Sequence, residues 1–268
     1  MQWFGISRQA QHQAWRKHCQ RQGEEAVILT LVRSIRHHHP WMGTRKLLHK
    51  LNPLLTTRGI KIGRDRLFDL LRTNDLLVLV KRRQNKTTRS GLWRCPNLLL
   101  DVTLNQPHQV WVGDITYITL ESGFAYLALL TDAFSRFIVG FDLSLSLAVE
   151  GCQHALQMAI AHTVSPLMGL IHHSDHGVQY TAHAYRQALA EKQIRSSMGE
   201  VGNCYENALA ERMNGILKIE YGLDSLFVDY AQANVAVVQA VQLYNYDRPH
   251  LALNYQSPAD VHFHYKIY

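Results

Sequence analysis

The 268-residue chain is poor in cysteine, and its four cysteines are scattered. Cys19, Cys95, Cys152 and Cys204 form no CxxC pair. That argues against a disulfide framework and a zinc finger, and it suits a reducing cytosol. Long apolar runs are also missing. The longest, such as Phe124 to Leu130, fall far short of the ~20 residues a spanning helix needs. The opening MQWFGISRQAQ lacks the apolar stretch of a secretory signal. No membrane association is expected, and the expected location is the cytoplasm. Acids are scarce in the first hundred positions: Glu24, Glu25, Asp65, Asp69 and Asp75 stand against 20 of the 28 lysines and arginines. Disorder, by contrast, is excluded over most of the chain, because 47% of the residues are hydrophobic and can supply a core.

Residues 101–268 reverse the charge balance, with 16 acids and 8 basic residues. Asymmetry of this size indicates two modules with different partners. The basic module is expected to bind a polyanion, nucleic acid first. A membrane surface is the rival, and no amphipathic helix with a large aromatic face supports it. The acidic module either gathers carboxylates for metal or presents an ordinary solvated surface. The expected division is a helical region over 1–80, a basic linker over 81–106 and an acidic domain over 107–268. The linker opens KRRQNKTTRSGLWR, with no acid, so Lys81, Arg82 and Arg83 are candidates for phosphate contact. The run His37-His38-His39 reads as a helix end with solvated imidazoles, with metal binding as the alternative.

In the basic half, periodicity predicts helices over Glu24–Arg36, from Gly43 to a stop at Pro53, and from near Gly63. The third carries Leu67, Phe68, Leu70 and Leu71 inward, with Arg64, Arg66 and Arg72 elsewhere on its surface. Short helices with arginine-rich outer faces suit a helix-turn-helix unit. Arg45, Lys46, Arg64 and Arg66 are its candidate DNA contacts, against the bland reading of a solvated basic bundle.

In the acidic half, Gln109–Leu120, Phe124–Thr131 and Arg136–Leu145 read as a three-stranded meander. Alternation follows: helix Val149–His162, strand Met168–His172, helix Thr181–Gln193, strand Ile194–Met198, then helices Asn207–Tyr221 and Tyr230–Tyr244. This is an α/β pattern, a mixed five-stranded sheet flanked by helices and preceded by a small all-α domain. Three acids stand out. Asp114 interrupts the first strand, where an unpaired buried carboxylate costs several kcal/mol. Asp175 follows a strand end, where α/β sheets bind ligands. Glu211 shares a helical face with Asn207, Asn214 and Lys218. Singly, Asp114 could accept hydrogen bonds and Glu211 could be a surface acid; together, in strand–strand–helix order, they point to a site.

The motifs around these acids resemble a known family. Asp114 lies in WVGDITYI, Asp175 in HSDHGVQY and Glu211 in GNCYENALAERMNGILK, with thirty-five residues between Asp175 and Glu211 and Lys218 seven residues on. This resembles the Asp-Asp-Glu core of retroviral integrases and bacterial insertion-sequence transposases, most closely the OrfB proteins of the insertion-sequence-three family. GISRQAQHQAW, HPWMGTRKLLHKLN and the C-terminal YNYDRPHLALNYQSPADV extend the likeness over nearly the whole chain. Arg212 and Met213 depart from it, standing where many relatives have aromatics, and Glu206 stands where an aspartate is common.

The resemblance implies an RNase H-like fold and a DNA transposase that nicks 3′ ends and transfers strands. Asp114, Asp175 and Glu211 would be catalytic and would hold two Mg²⁺ or Mn²⁺ ions. Lys218 would grip a phosphate, or else pair within its helix. Asn207, His173 and Tyr180 would support the site, with a purely structural role for the histidines as the alternative. Expected partners are transposon-end and target DNA, further copies of the chain in a paired-end complex, and an OrfA protein, either separate or fused by frameshifting. The rivals are an RNase H-type nuclease that never joins strands and a non-catalytic DNA-binding derivative.

Overall fold

The computed structural model describes residues 8–78, 93–100, 102–199 and 208–265. The chain divides into two units, Met1–Leu79 and Val80–Tyr268.

In the first unit, α1 (Arg8–His38), α2 (Thr44–Thr56) and α3 (Arg64–Thr73) enclose a core of Ile28, Val32, Met42, Leu47, Leu51, Leu55, Leu67, Leu70 and Leu71. Helix α1 begins sixteen residues before the expected Glu24. Its first half is exposed all round, so it has no apolar stripe for periodicity to detect. Good helix formers and side-chain bonds one turn apart, Gln20 to Glu24 and Arg21 to Glu25, carry it instead. Pro53 does not stop α2; it sits in the final turn, and the helix runs on to Thr56.

The candidate DNA contacts of this unit divide. Arg45 is exposed, whereas Lys46 is only 7% exposed, so its ammonium is not offered to a duplex surface. Three arginines pair with acids: Arg64 with Asp65 (2.8 Å), Arg66 with Glu25 (3.3 Å) and Arg72 with Asp69 (2.7 Å). Lys81, Arg82 and Arg83 lie outside the described residues.

In the second unit, β1 (Val110–Leu120), β2 (Gly123–Asp132) and β3 (Ile138–Ser144) form the antiparallel meander. The chain continues through α4 (Val149–His162), β4 (Ile171–Ser174), α5 (Val178–Thr181), α6 (His183–Glu191) and β5 (Arg195–Met198). It closes with α7 (Ala208–Glu220), β6 (Leu226–Phe227), α8 (Tyr230–Tyr246) and α9 (Pro258–Phe263). The sheet order is β3-β2-β1-β4-β5, with β4 and β5 parallel to β1. The two-residue β6 adds a sixth strand, pairing with the far end of β1. The fourth strand begins three residues later than its apolar run suggested, because His172, His173 and Ser174 are buried alongside Ile171 despite their polarity. The helix expected over Thr181–Gln193 is α6, shorter by two residues at each end, and the separate four-residue α5 precedes it across Ala182 in extended backbone.

Alternation along β1 divides its side chains between two cores. Trp111 packs toward α4 with Ala128, Leu130 and Ala155. Ile118 and Leu120 pack toward α7 and α8 with Met213, Leu217 and Val237. Helix α4 lies so close to the sheet that a Cβ on Gly140 would clash with the Ala155 carbonyl oxygen. The stretch expected to be linker is already part of this unit from Trp93: Trp93 and Cys95 pack on one core, and Leu98, Leu99, Val102 and Leu104 on another.

Asn245 on α8 clamps β3. Its side chain accepts from the Ile138 amide (2.9 Å) and donates to the Ile138 carbonyl (3.0 Å), all buried. Asn245→Ala strands both backbone groups and should cost about 2–4 kcal/mol of stability. Urea unfolding with an unchanged slope would read this; a loss under about 0.5 kcal/mol, the scale of an ordinary surface change, would contradict it.

Candidate active site

Register brings the first two acids together. Parallel pairing of β1 and β4 sets Gly113 opposite Ser174, so Asp114 on β1 and Asp175, the first residue past β4, come next in register. Each carboxylate is held. The Ile115 amide donates to Asp114 Oδ1 (2.9 Å) and the Asn214 Nδ2 to Asp114 Oδ2 (2.6 Å). The Gly177 amide donates to Asp175 Oδ1 (2.9 Å). A Cβ on Gly177 would meet that same oxygen at 2.9 Å, so a larger residue there would push the Asp175 carboxylate out of place.

Helix α7 brings the third. Met213 and Leu217 anchor it over β1, and the hydrogen bond from Asn214 fixes its rotation. Glu211, three residues earlier in the first turn, then lies on the same side as Asn214, with its carboxylate exposed. The helix is braced from behind by the C-terminal motif. Arg248 forms a two-point ion pair with Glu220 (2.8 and 2.9 Å), and the Tyr244 hydroxyl lies 3.1 Å from Met213 Sδ. Lys218 falls further along α7, half-buried.

Electrostatics mark the cluster. The Asp114 carboxyl is pushed up to about 7, first by burial and then by the negative charge of Asp175, with a smaller push from Glu211. The two hydrogen bonds pull the other way. Among the described residues, no three His, Cys, Asp or Glu side chains already converge at metal-ligand spacing.

The remaining candidates sit behind the acids. His173 is fully buried and bonds through Nδ1 to Ser197 Oγ (2.9 Å), which also takes the Leu98 amide (2.9 Å). His172, pushed down to about 3 by burial, is neutral and meets the Tyr185 hydroxyl at 2.9 Å. Tyr180 is buried against both, its ring 5.8 Å from that of His172 and 5.4 Å from that of Tyr185. These groups stiffen β4 and the Asp175 turn. Asn207 lies outside the described residues. Sequence reasoning placed Asn214 on the Glu211 face without assigning it to the site; its i+3 spacing from Glu211 was the available signal.

The chain is similar to proteins of known type. The integrase core domain family matches residues 105–204, and a second integrase core domain family matches 192–258. The 31 kDa protein of insertion element IS600 from Shigella sonnei is 35% identical, over 96% of this chain and 94% of its own length. The transposase of insertion sequence element IS904 from Lactococcus lactis is 30% identical, over 91% of this chain and 97% of its own. The fold resembles a chain of the simian T-cell lymphotropic virus intasome, with TM-score 0.50, 20% identity, and 86% of this chain and 72% of that one covered.

The raised Asp114 carboxyl gives a pH signature. Its ordinary value is 3.8 and its folded value about 7, so between the two the folded state keeps a proton that the unfolded chain has lost. Rising pH through that window therefore destabilises the metal-free fold, by at most about 1.4 kcal/mol per pH unit. Asp114→Asn should flatten the decline and exceed wild-type stability at pH 8 in EDTA, by urea unfolding. Parallel pH profiles for the two proteins would contradict the crowding.

Proposed function

The chain belongs to the insertion-sequence transposases built on an integrase core, the type its motifs resemble, and from that premise we propose that Asp114, Asp175 and Glu211 carry the DNA cleavage and joining reactions. The observation that supports this reading is the placing of Asp114 on β1 beside Asp175, just past the end of the parallel strand β4, with the helix that carries a third acid tied to Asp114 through Asn214.

The donor set fits hard divalent cations. Carboxylate oxygens are what Mg²⁺ and Mn²⁺ prefer, and the Asp114 carboxyl is pushed up to about 7 by burial and by the charge of Asp175, a crowding that a bound cation would relieve. Asp114, Asp175 and Glu211 would hold two such ions. When bound, they would lower the pKa of water and neutralise charge on the leaving oxygen. The chain's own groups do the positioning. The Ile115 and Asn214 donors fix the direction of Asp114, and the Gly177 amide fixes Asp175. Each carboxylate oxygen keeps a second lone pair for a ligand. No side-chain nucleophile is required: water attacks the phosphodiester at a transposon end and releases a 3′-hydroxyl, which then attacks a phosphodiester of the target.

The working assembly on this reading pairs two DNA ends between copies of the chain in the cytoplasm, with an OrfA protein as partner or fusion. No described helix is long and apolar enough to cross a membrane.

Asp114→Asn, Asp175→Asn and Glu211→Gln should each abolish nicking and joining of labelled transposon-end DNA in Mn²⁺ while leaving DNA binding intact. Wild-type joining in all three would overturn the assignment, and nicking without joining in wild-type protein would favour a nuclease. Lys218→Ala should lower the salt dependence of binding by about one phosphate contact.

A further inference from the structure

Helix α1 extends well beyond the core it helps to build. Its buried residues, Ile28 and Val32, both lie in its second half. Every one of residues 8–23 is exposed. A helical stretch of that length runs about 24 Å, and a helix so short gains little stability in water with nothing packed against it. A bound partner would stabilise it.

The composition of the stretch selects the partner. It holds Arg8, Arg16, Lys17 and Arg21 and no acid. It also holds no Leu, Ile, Val or Met, and so lacks the aliphatic seam that packing on a second helix needs. Acids begin at its end, where Glu24 accepts from Gln20 (3.0 Å) and Glu25 from Arg21 (3.1 Å). The Arg21 side chain is 60% exposed, and an exposed pair of this kind is weak enough to yield to a phosphate. In the rest of the unit many cations are already engaged. Lys46 is buried, Arg64, Arg66 and Arg72 pair with acids, and Arg36 and Arg58 donate to the carbonyls of Leu76 and Leu54.

The polar groups are also ordered around the helix. Gln9, Gln13, Arg16 and Gln20, at spacings of four, three and four, share one face. Lys17 and Arg21, one turn apart, flank that face on one side, and Arg8 and His12, one turn apart, flank it on the other. Gln11, Trp15 and Gln22 fall on the back. A helix with its side chains is about 10–12 Å across, and the major groove of B-DNA is about 12 Å wide. In the groove a helix has base edges beneath it and phosphates along both flanks. Side-chain amides and guanidinium groups are what base edges bond, and cations are what phosphates bond.

We propose that the first half of α1 lies in the major groove of the transposon-end duplex, with Gln9, Gln13 and Arg16 toward the base edges and Arg8, Lys17 and Arg21 toward the phosphates of the two walls. The inference rests on the transposase reading, and it moves the main DNA contact of this unit from α2 and α3 to α1.

The test is binding without chemistry, by anisotropy of a labelled transposon-end duplex in EDTA. Two variants carry the same charge change on opposite faces. Gln13→Glu puts a carboxylate against the bases and should weaken binding about tenfold or more, whereas Gln11→Glu, on the back, should stay within about threefold of wild type. Equal losses would overturn the groove placement and leave only a diffuse attraction. The Arg8→Gln/Lys17→Gln/Arg21→Gln triple variant should lower the slope of log K against log salt by about 2.7, three contacts' worth; a wild-type slope would overturn the proposal. All of these changes are at exposed positions and introduce good helix formers. Hydrogen exchange supplies the second readout: the amides of residues 8–23 should gain protection when the duplex is added. Protection that instead appears without DNA and grows with protein concentration would assign the stretch to a second copy of the chain and overturn the proposal. Failure of the transposase reading would look different, with α1 protected by the duplex and the face difference intact, but no strands joined by wild-type protein in Mn²⁺.

Discussion

Like charges held side by side govern this structure. Asp114 and Asp175 follow paired residues of two parallel strands, in a partly buried position where burial and the charge of Asp175 raise the energy of ionised Asp114. A sheet does not hold such a pair without restraint. The restraint is a set of donors, one amide at each aspartate and the Asn214 side chain across from α7. These orient the carboxylates without cancelling their charge, because amides carry dipoles rather than cations. The demand for positive charge is left to something that binds. On the reading proposed above, bound divalent cations would relieve this repulsion.

The rest of the second unit keeps that arrangement from relaxing. Helix α7 is held against the sheet by Met213 and Leu217, and at its last residue by the Glu220–Arg248 pair, whose arginine side chain is only 5% exposed. Tyr244 reaches from α8 to α7 and to the Arg136 turn, and Asn245, its neighbour, clamps β3. One short stretch of the C-terminal motif therefore touches α7, the β2–β3 turn and the sheet edge. Buried histidines do the equivalent on the other flank, where His172 and His173 tie β4 to Tyr185 and to Ser197 of β5.

How much of this the sequence reveals depends on what kind of force holds each part. The meander, α4 and the place of Asp114 in β1 are legible because alternation, helical period and an acid inside a β-branched strand are local signals. Strand β4 was displaced because its buried residues are histidines and a serine, whose burial depends on partners far along the chain. The first half of α1 left no mark because an exposed polar helix has no stripe. Lys46 read as a DNA contact because a basic residue looks solvated in one dimension, and only the packed unit shows it at 7% exposure. Asn214 shared a visible face with Glu211, but its partner Asp114 is a hundred residues away, and that contact is tertiary.

The central claim is that the crowded carboxylates exist to hold divalent cations at the reacting DNA. The most direct measurement is anomalous diffraction from crystals of the protein soaked in Mn²⁺. The account predicts anomalous peaks bonded to oxygens of Asp114 and Asp175, with Glu211 completing the set, and their loss in Asp114→Asn. Peaks confined to other residues, or unchanged peaks in that variant, would contradict it.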